Sequence, residues 1–274
     1  MALLAELEAV LESCGGFKAI EEFGPSTEID GCWCVEGGLL FLRWSCLREV
    51  WREAKARHGT PTASTATLLL VGDAYSAWNV RKRRRREDSD GDAVDVVDDL
   101  EEELAFNAVV LKRHPKAAAA WSHRRWLLKE GASEREELAL CETLALRHPR
   151  NYFAWTHRAW VAERLGDFPG ELDFAARWLR SHVTDHSAAH YAASLASKLS
   201  DDDEESLRRL DETHSALCAS FPHLAAQSTG NLAYLHRAIH RISKDPSSLA
   251  PLRHPRSQRW LAVATRRRTD GRTT

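Results

Sequence analysis

His114-Pro115-Lys116-Ala117-Ala118-Ala119-Ala120-Trp121-Ser122-His123-Arg124-Arg125-Trp126 returns 34 residues later as His148-Pro149-Arg150-Asn151-Tyr152-Phe153-Ala154-Trp155-Thr156-His157-Arg158-Ala159-Trp160. Every anchor keeps the interval: the His-Pro, the first Trp, the His-Arg pair and the second Trp. Self-similarity at a fixed period of roughly 20–50 residues marks one supersecondary unit copied and stacked. Proline ends the helix before it, because its ring blocks the backbone and disfavours a helical residue ahead of it. Each copy therefore predicts a leading helix, a turn at His-Pro, and a second helix that carries the Trp.

The leading helices are predicted over Leu100–Lys112 and Glu134–Arg147, with Gly131 and Gly166 placed where a helix C-terminus favours a left-handed residue. Upstream, Ala77-Trp78-Asn79-Val80-Arg81 keeps the Trp and the Arg three residues on, but lies 43 residues before Trp121. The run from Glu87 to Glu103, with ten Asp or Glu, accounts for the longer interval and reads as a mobile acidic loop whose deletion over 87–99 leaves the fold intact. Downstream, Asp185-His186-Ser187-Ala188-Ala189-His190-Tyr191 reads as a worn copy with His190 in the Trp place, 35 residues after Trp155. A fifth trace is Tyr234-Leu235-His236-Arg237. Residues 67–241 thus form the repeat domain, 1–66 a cap, and 242–274 a Ser-, Pro- and Arg-rich tail expected to be disordered apart from an anchor at Trp260.

Ahead of the repeats, Leu3, Leu4, Leu7, Val10 and Leu11 predict an amphipathic helix over 1–13. A glycine-rich stretch follows and reads as loop. Leu40, Trp44, Leu47 and Trp51 then recur at helical spacing and predict a second helix from Leu39 to about Arg57.

Composition narrows the function classes. With 43% hydrophobic and 28% charged residues and a net charge of −2, the chain reads as a water-soluble globular protein with no global attraction to nucleic acid. Glu6, Glu8 and Glu12 interrupt the first apolar stretch, unlike a secretory signal. The six cysteines make no even framework and Cys32-Trp33-Cys34 is too tight for a zinc pair, so each reads as an inert thiol in a reducing, cytoplasmic setting. His182, His186 and His190 stand at i, i+4 and i+8 and would share a face if helical, without a Cys or Glu to complete a metal set. The cations Arg81–Arg86 read either as a solvated helix end balanced by the acidic run or as a nuclear or RNA-binding patch.

A 34-residue hairpin cannot bury its apolar stripe alone, so Trp78, Trp121 and Trp155 read as wedges between layers, each covering about 200 Å². The forked donors of Arg124 and Arg158 suit carbonyls or a carboxylate of the next hairpin, or an indole face. His123, Arg125, Trp126, His157 and Trp160 complete the set, and the residue types fit two roles: knitting hairpins together, or facing a partner.

The phrase Pro-Lys/Arg-x-x-x-Ala-Trp-x-His-Arg-x-Trp at this period resembles the repeat of the protein prenyltransferase alpha subunits. The Trp-x2-Leu-Gly-x2-Tyr spacing of tetratricopeptide repeats is absent. The resemblance covers residues 17–240 and is strongest over 67–165. It implies an all-α, right-handed superhelix of helical hairpins wrapped around a beta subunit, which holds the zinc, the cysteine substrate and the isoprenoid pocket. The implied partner is the beta subunit of the Rab geranylgeranyltransferase type, with a prenyl diphosphate donor and a cysteine-containing protein acceptor. The alpha chain carries no cofactor and is inactive alone. Carried over by position, Lys116 matches the lysine that approaches the donor diphosphate, where a fixed cation stabilises charge on the leaving group. Tyr152 matches a donor-site tyrosine. Two positions depart from the pattern: Ala118 stands for a Tyr, and Phe153 for a His; Phe153 is a substrate-binding candidate beside Tyr152, where its bulk either alters donor or peptide preference or serves packing. A scaffold that keeps the fold without a catalytic part is the competing reading.

Overall fold

The computed structural model describes residues 2–87, 93–129, 133–182, 184–196 and 198. The fifth repeat trace, the tail with Trp260, and Gly131 lie outside them. The chain divides into two units, Met1–His148 and Pro149–Thr274.

The first unit opens with α1, Leu3–Cys14, which buries Leu4 and Leu7 and stops at Gly15 in the left-handed conformation, φ 84°. A small sheet follows where the sequence reads as loop and then helix. Its strands are β1 (Glu22–Ser26), β2 (Trp33–Glu36) and β3 (Leu39–Arg43), in the order β1-β3-β2. β1 runs parallel to β3, and β2 is antiparallel to it. Gly37 and Gly38, both at positive φ (55° and 79°), make the two-residue turn that a tight hairpin demands. The sheet register pairs Phe23 with Leu40 and Pro25 with Leu42, and Pro25 sits on an edge strand, where no ladder donor is needed. Leu40 and Leu42 are buried while Leu39, Phe41 and Arg43 are partly exposed, a period of two. The predicted helix at Leu39 is therefore a strand for its first five residues; the helical spacing of Leu40 and Trp44 is coincidental.

Glu6 of α1 fixes the sheet from one side, its Oε1 accepting the backbone N–H of Cys32 (2.6 Å) and Trp33 (3.1 Å). Cys32 and Cys46 are joined in a disulfide, Cα to Cα 5.9 Å, which corrects the expectation of inert thiols at these two positions. Cys46 ends the 3-10 turn Trp44–Cys46, which leads into α2, Leu47–Ala56. α3, Pro61–Leu70, starts with Thr60 as N-cap and proline at its first position, a combination that suits a helix start. α4 (Tyr75–Glu87), α5 (Ala93–Arg113), α6 (Ala118–Lys129) and α7 (Glu134–Arg147) complete the unit.

The acidic run is not a loop throughout: from Ala93 onward it forms the first half of α5. Its carboxylates are anchored. Glu102 accepts the N–H of Phe17 (2.5 Å) and Lys18 (3.3 Å), Glu101 pairs with Lys18 at 3.1 Å, and Asp99 pairs with Arg85 at 2.5 Å. Deletion of 87–99 would thus remove the opening turns of α5 and a partner of the basic run, so the expectation that it spares the fold is withdrawn.

The second unit holds α8 (Tyr152–Leu165), α9 (Phe168–Ser181) and α10 (His186–Ala196). Gly166 ends α8 in the left-handed region, φ 73°. His182 is the residue after α9 and His186 the first of α10, so a turn separates them and the three histidines share no single helix. No group able to hold a metal ion occurs among the described residues. None of the described helices is long and apolar enough to cross a membrane.

Candidate functional site

Trp78, Trp121 and Trp155 are buried at the starts of α4, α6 and α8, and His123, Arg124, His157 and Arg158 are buried beside them. The polar atoms of His123, Arg124 and Arg158, and of Arg81, meet carboxylates. Arg81 Nε donates to Glu103 Oε1 at 2.8 Å and its Nη2 reaches Oε2 at 2.5 Å, while Nη1 donates to Thr65 Oγ1 at 2.7 Å. The same Glu103 accepts from His123 Nε2 at 2.8 Å. Arg124 grips Glu137 with two donors, at 2.7 and 2.6 Å, and its Nη1 reaches the Leu104 carbonyl at 2.9 Å. Arg158 grips Glu171 in the same way, at 2.6 and 2.8 Å, and Glu171 also accepts from the Tyr191 hydroxyl. The Arg of one Trp helix thus binds the leading helix of the next copy through a two-pronged bond to a carboxylate. Two of these cations also stack on phenylalanines of those leading helices: Arg81 lies 4.0 Å from the Phe106 centroid and Arg158 3.6 Å from that of Phe174.

These knots control titration. Burial alone would raise the Glu103 carboxyl, but the Arg81 charge and the hydrogen bonds from His123 and Arg81 outweigh it and hold it at about 2. Burial lowers His123, against the pull of Glu103. Its Nδ1 is buried with no hydrogen-bond partner, as suits a neutral ring that donates from Nε2 and leaves Nδ1 a bare acceptor. The ring is sandwiched in aromatic contacts, 4.4 Å from Trp78 and 5.3 Å from Trp126. Burial also raises Tyr191 and the Glu171 charge reinforces this, so the phenol stays neutral.

Residues 100–131 and 134–165 match the protein prenyltransferase alpha subunit repeat. These two stretches are similar to prenyltransferase alpha subunit repeats. It is similar to the protein prenyltransferase alpha subunit repeat-containing protein 1 of Danio rerio, 30% identical over 202 residues, which are 61% of this chain and 45% of that protein. It is also similar to geranylgeranyl transferase type-2 subunit alpha 1 of Arabidopsis thaliana, 37% identical over 75 residues, 26% of this chain and 11% of that one. The chain thus spans less than half the length of the curated relatives it matches.

Lys116 lies in the turn before the Trp helix α6, and Tyr152 opens the Trp helix α8. Two such turns interlock in the first unit. A Cβ on Gly72 would lie 2.7 Å from the Cβ of His114, so only glycine permits the approach. The His114 ring meets the Leu69 carbonyl through Nε2 at 2.8 Å, and Asp73 Oδ1 accepts the Ala119 N–H at 2.7 Å, capping α6 from the preceding hairpin. Trp78 and Trp121 each donate their indole N–H to a carbonyl six residues back, Gly72 at 2.9 Å and Pro115 at 3.0 Å. Lys116 projects from this braced turn and is exposed; Ala118, where a Tyr would stand, is half-buried.

The second unit holds Tyr152 and Phe153, at the first turn of α8. Asn151 is the N-cap, its Oδ1 accepting from Phe153 N (3.2 Å) and Ala154 N (3.4 Å). Tyr152 is 59% exposed, whereas Phe153 is half-buried with its ring 5.8 Å from that of Tyr152. Arg125, Trp126 and Trp160 are half-buried. The Trp, His and Arg anchors therefore lie inside the repeats, and the accessible side chains of the candidate set are Lys116 and Tyr152.

Three things escaped the sequence reading. The carboxylates Glu103, Glu137 and Glu171 complete the repeat, and they stand 34 residues apart. The fourth copy is shifted by one residue: Tyr191 takes the His place on Glu171, so Ala189, 34 after Trp155, holds the Trp place instead of His190. Asp185 falls 34 after Asn151 and caps α10, its Oδ1 accepting from Ser187 and Ala188 at 3.0 and 3.1 Å. Its Oδ2 also accepts the indole N–H of both Trp155 and Trp178, each at 3.2 Å.

Proposed function

We propose that this chain is the alpha-type subunit of a heterodimeric protein prenyltransferase that acts in the cytoplasm with a zinc-bearing beta subunit. The reaction moves an isoprenyl group from its diphosphate to a cysteine thiolate of a protein, forming a thioether and releasing diphosphate. Similarity to a geranylgeranyl transferase subunit favours a geranylgeranyl donor and a beta partner of the Rab geranylgeranyltransferase type. The observation that supports the reading most directly is Lys116, an exposed cation on a turn braced by Asp73 and His114 inside matched repeats. A cation held on a rigid turn stabilises charge on departing diphosphate without reorganising. Tyr152 is the second contact in this reading.

Co-expression with a prenyltransferase beta subunit, followed by transfer of labelled isoprenoid to a peptide ending in cysteine, tests it. Activity only with both chains is expected. Lys116→Ala should cut kcat by about tenfold to a hundredfold, the loss of one charge-stabilising donor or less, and leave the complex intact in size-exclusion chromatography. Full activity in the variant would remove Lys116 from the mechanism.

Ala118 and Phe153 favour a second reading, a helical-repeat scaffold that holds partners without contributing to catalysis. A stable complex with the beta subunit that is inactive toward every isoprenyl diphosphate would select it.

A further inference from the structure

Between the sheet, α2 and the ends of α3 and α5 lies an open groove of about 280 Å³, lined by Phe23, Leu42, Trp44, Trp51 and Val71 among others, with Arg113 at its edge. It belongs wholly to the first unit and contains none of the candidate residues above. Trp44 is 61% exposed, so the largest side chain type is presented to solvent rather than spent on the core. It opens the 3-10 turn Trp44–Cys46, and the Cys32–Cys46 disulfide ties that turn to the residue ahead of β2. A ring held on a tethered turn is set in place before any ligand arrives, which reduces the ordering cost of binding.

Hydrogen bonding defines what can fill the groove. Trp33, Trp78, Trp121, Trp155 and Trp178 each donate their indole N–H to a carbonyl or carboxylate oxygen. Trp44 and Trp51 have no such acceptor among the described residues. Every side chain lining the groove is hydrocarbon, indole or guanidinium, so the side chains offer donors and no acceptor. Of the nearby carbonyls, Leu69 is taken by the His114 ring at 2.8 Å and Val71 by the Ala74 N–H at 3.2 Å. A fitting occupant brings apolar surface and acceptors but no N–H. A hydrocarbon chain would leave both indole donors unmet, and a helix has spent its carbonyls on itself. A polyproline II segment meets every demand: its rings are apolar, its carbonyls are unpaired, and proline has no N–H. Aromatic-lined grooves take proline-rich segments in this way.

Charge narrows the occupant further. Arg113 is the last residue of α5, is exposed, and has no ion-pair partner among the described residues. The Val110 carbonyl at that helix end already accepts the His114 N–H at 2.7 Å. The guanidinium at the rim is therefore a fork open to one carboxylate. We infer that the groove docks a proline-rich segment of a partner protein, its rings against Trp44 and Trp51, its carbonyls on the two indole N–H groups, and a flanking Asp or Glu on Arg113. Nothing in this docking requires prenyl transfer.

Fluorescence anisotropy of a labelled peptide, six prolines followed by two glutamates, titrated with the full chain tests this. Saturable binding is expected, about tenfold weaker when lysines replace the glutamates, as one charge-assisted bond provides. A peptide with a Gly-Ser repeat in place of the prolines should not bind. Trp44→Ala should weaken binding by about tenfold or more with an unchanged thermal melt, since the ring lies outside the core. Trp44→Phe keeps the aromatic surface without the donor and should fall between Trp44→Ala and the natural chain. Arg113→Gln should remove the preference for glutamate and leave proline binding in place. Absence of saturable binding, equal binding of the Gly-Ser peptide, or equal binding of the glutamate and lysine peptides by the natural chain would each overturn the proposal. So would myristate that binds more tightly than the proline peptide and displaces it, since that outcome assigns the groove to a lipid.

Discussion

Glu103 in the first unit and Glu171 in the second perform the same mechanical task with different neighbours. Each is buried, each takes a two-pronged bond from the Arg of the preceding Trp helix, and each accepts one more bond from the residue 20 positions on. That residue is His123 in one case and Tyr191 in the other. The carboxylate and the guanidinium are the conserved mechanical pair within this chain, while the third member sets the chemistry. A histidine makes the knot sensitive to acid, and a tyrosine makes it sensitive to alkali.

The largest break in this comparison is removal of the carboxylate. Glu171→Ala strands the buried Arg158 guanidinium and should cost about 3–5 kcal/mol, read as a lowered urea midpoint, with Glu103→Ala at the lower end because Arg81 is partly exposed. An effect under about 1 kcal/mol, the scale of a solvent-exposed ion pair, would mean that water replaces the carboxylate. Next, Tyr191→Phe removes one bond to an ionised acceptor and should cost about 1–2 kcal/mol, with Arg158 and Glu171 still joined.

The pH dependence sharpens the contrast. Burial places folded His123 below its ordinary 6.5, so below pH 6.5 the unfolded chain takes up the proton first. Stability from this site is full above 6.5 and falls as pH drops. A second loss follows as pH falls from 4.5 toward 2, when Glu103 is protonated. Tyr191 has the opposite sign: its pKa is raised, so its contribution is full below 10.0 and is lost as pH climbs beyond it. Thermal melts across pH should show His123→Phe flattening the window below 6.5, with His114, also lowered by burial, keeping part of it. Tyr191→Phe should leave that window alone. The smallest effect belongs to Lys116→Ala, an exposed site outside both knots, where melting should change stability by less than about 0.5 kcal/mol.

Much of this was legible in the residues. The helix over Glu134–Arg147 follows from the repeat period and from His148-Pro149 behind it, and the structure places α7 there. Arg124 donating to a carboxylate and a carbonyl of neighbouring helices also follows from its forked geometry. The sheet was missed because Leu40, Trp44 and Leu47 mimic helical spacing; the better signal was Gly37-Gly38 between two apolar runs. The Cys32–Cys46 pairing depends on a fold that brings the end of β3 back to β2, where Arg43 N–H meets the Cys32 carbonyl at 2.8 Å. Histidine spacing misled at His182–His190, since spacing means a shared face only within one helix. Lys116 is singled out by resemblance alone, and the bracing of its turn by Asp73 and Gly72 needed coordinates.

The fourth-copy register has a consequence for how such chains are recognised. A pattern keyed to tryptophan loses the repeat after residue 165, where the matched region ends, because Ala189 stands in the Trp place. A ruler keyed to the knot continues: Glu at 103, 137 and 171, and His, His and Tyr at 123, 157 and 191. Bulk in a wedge erodes gradually, since a smaller residue leaves a space that neighbours can partly close. A buried charge has no such half-measure, so the ion pair outlasts the large ring and marks repeats whose aromatic signature has faded.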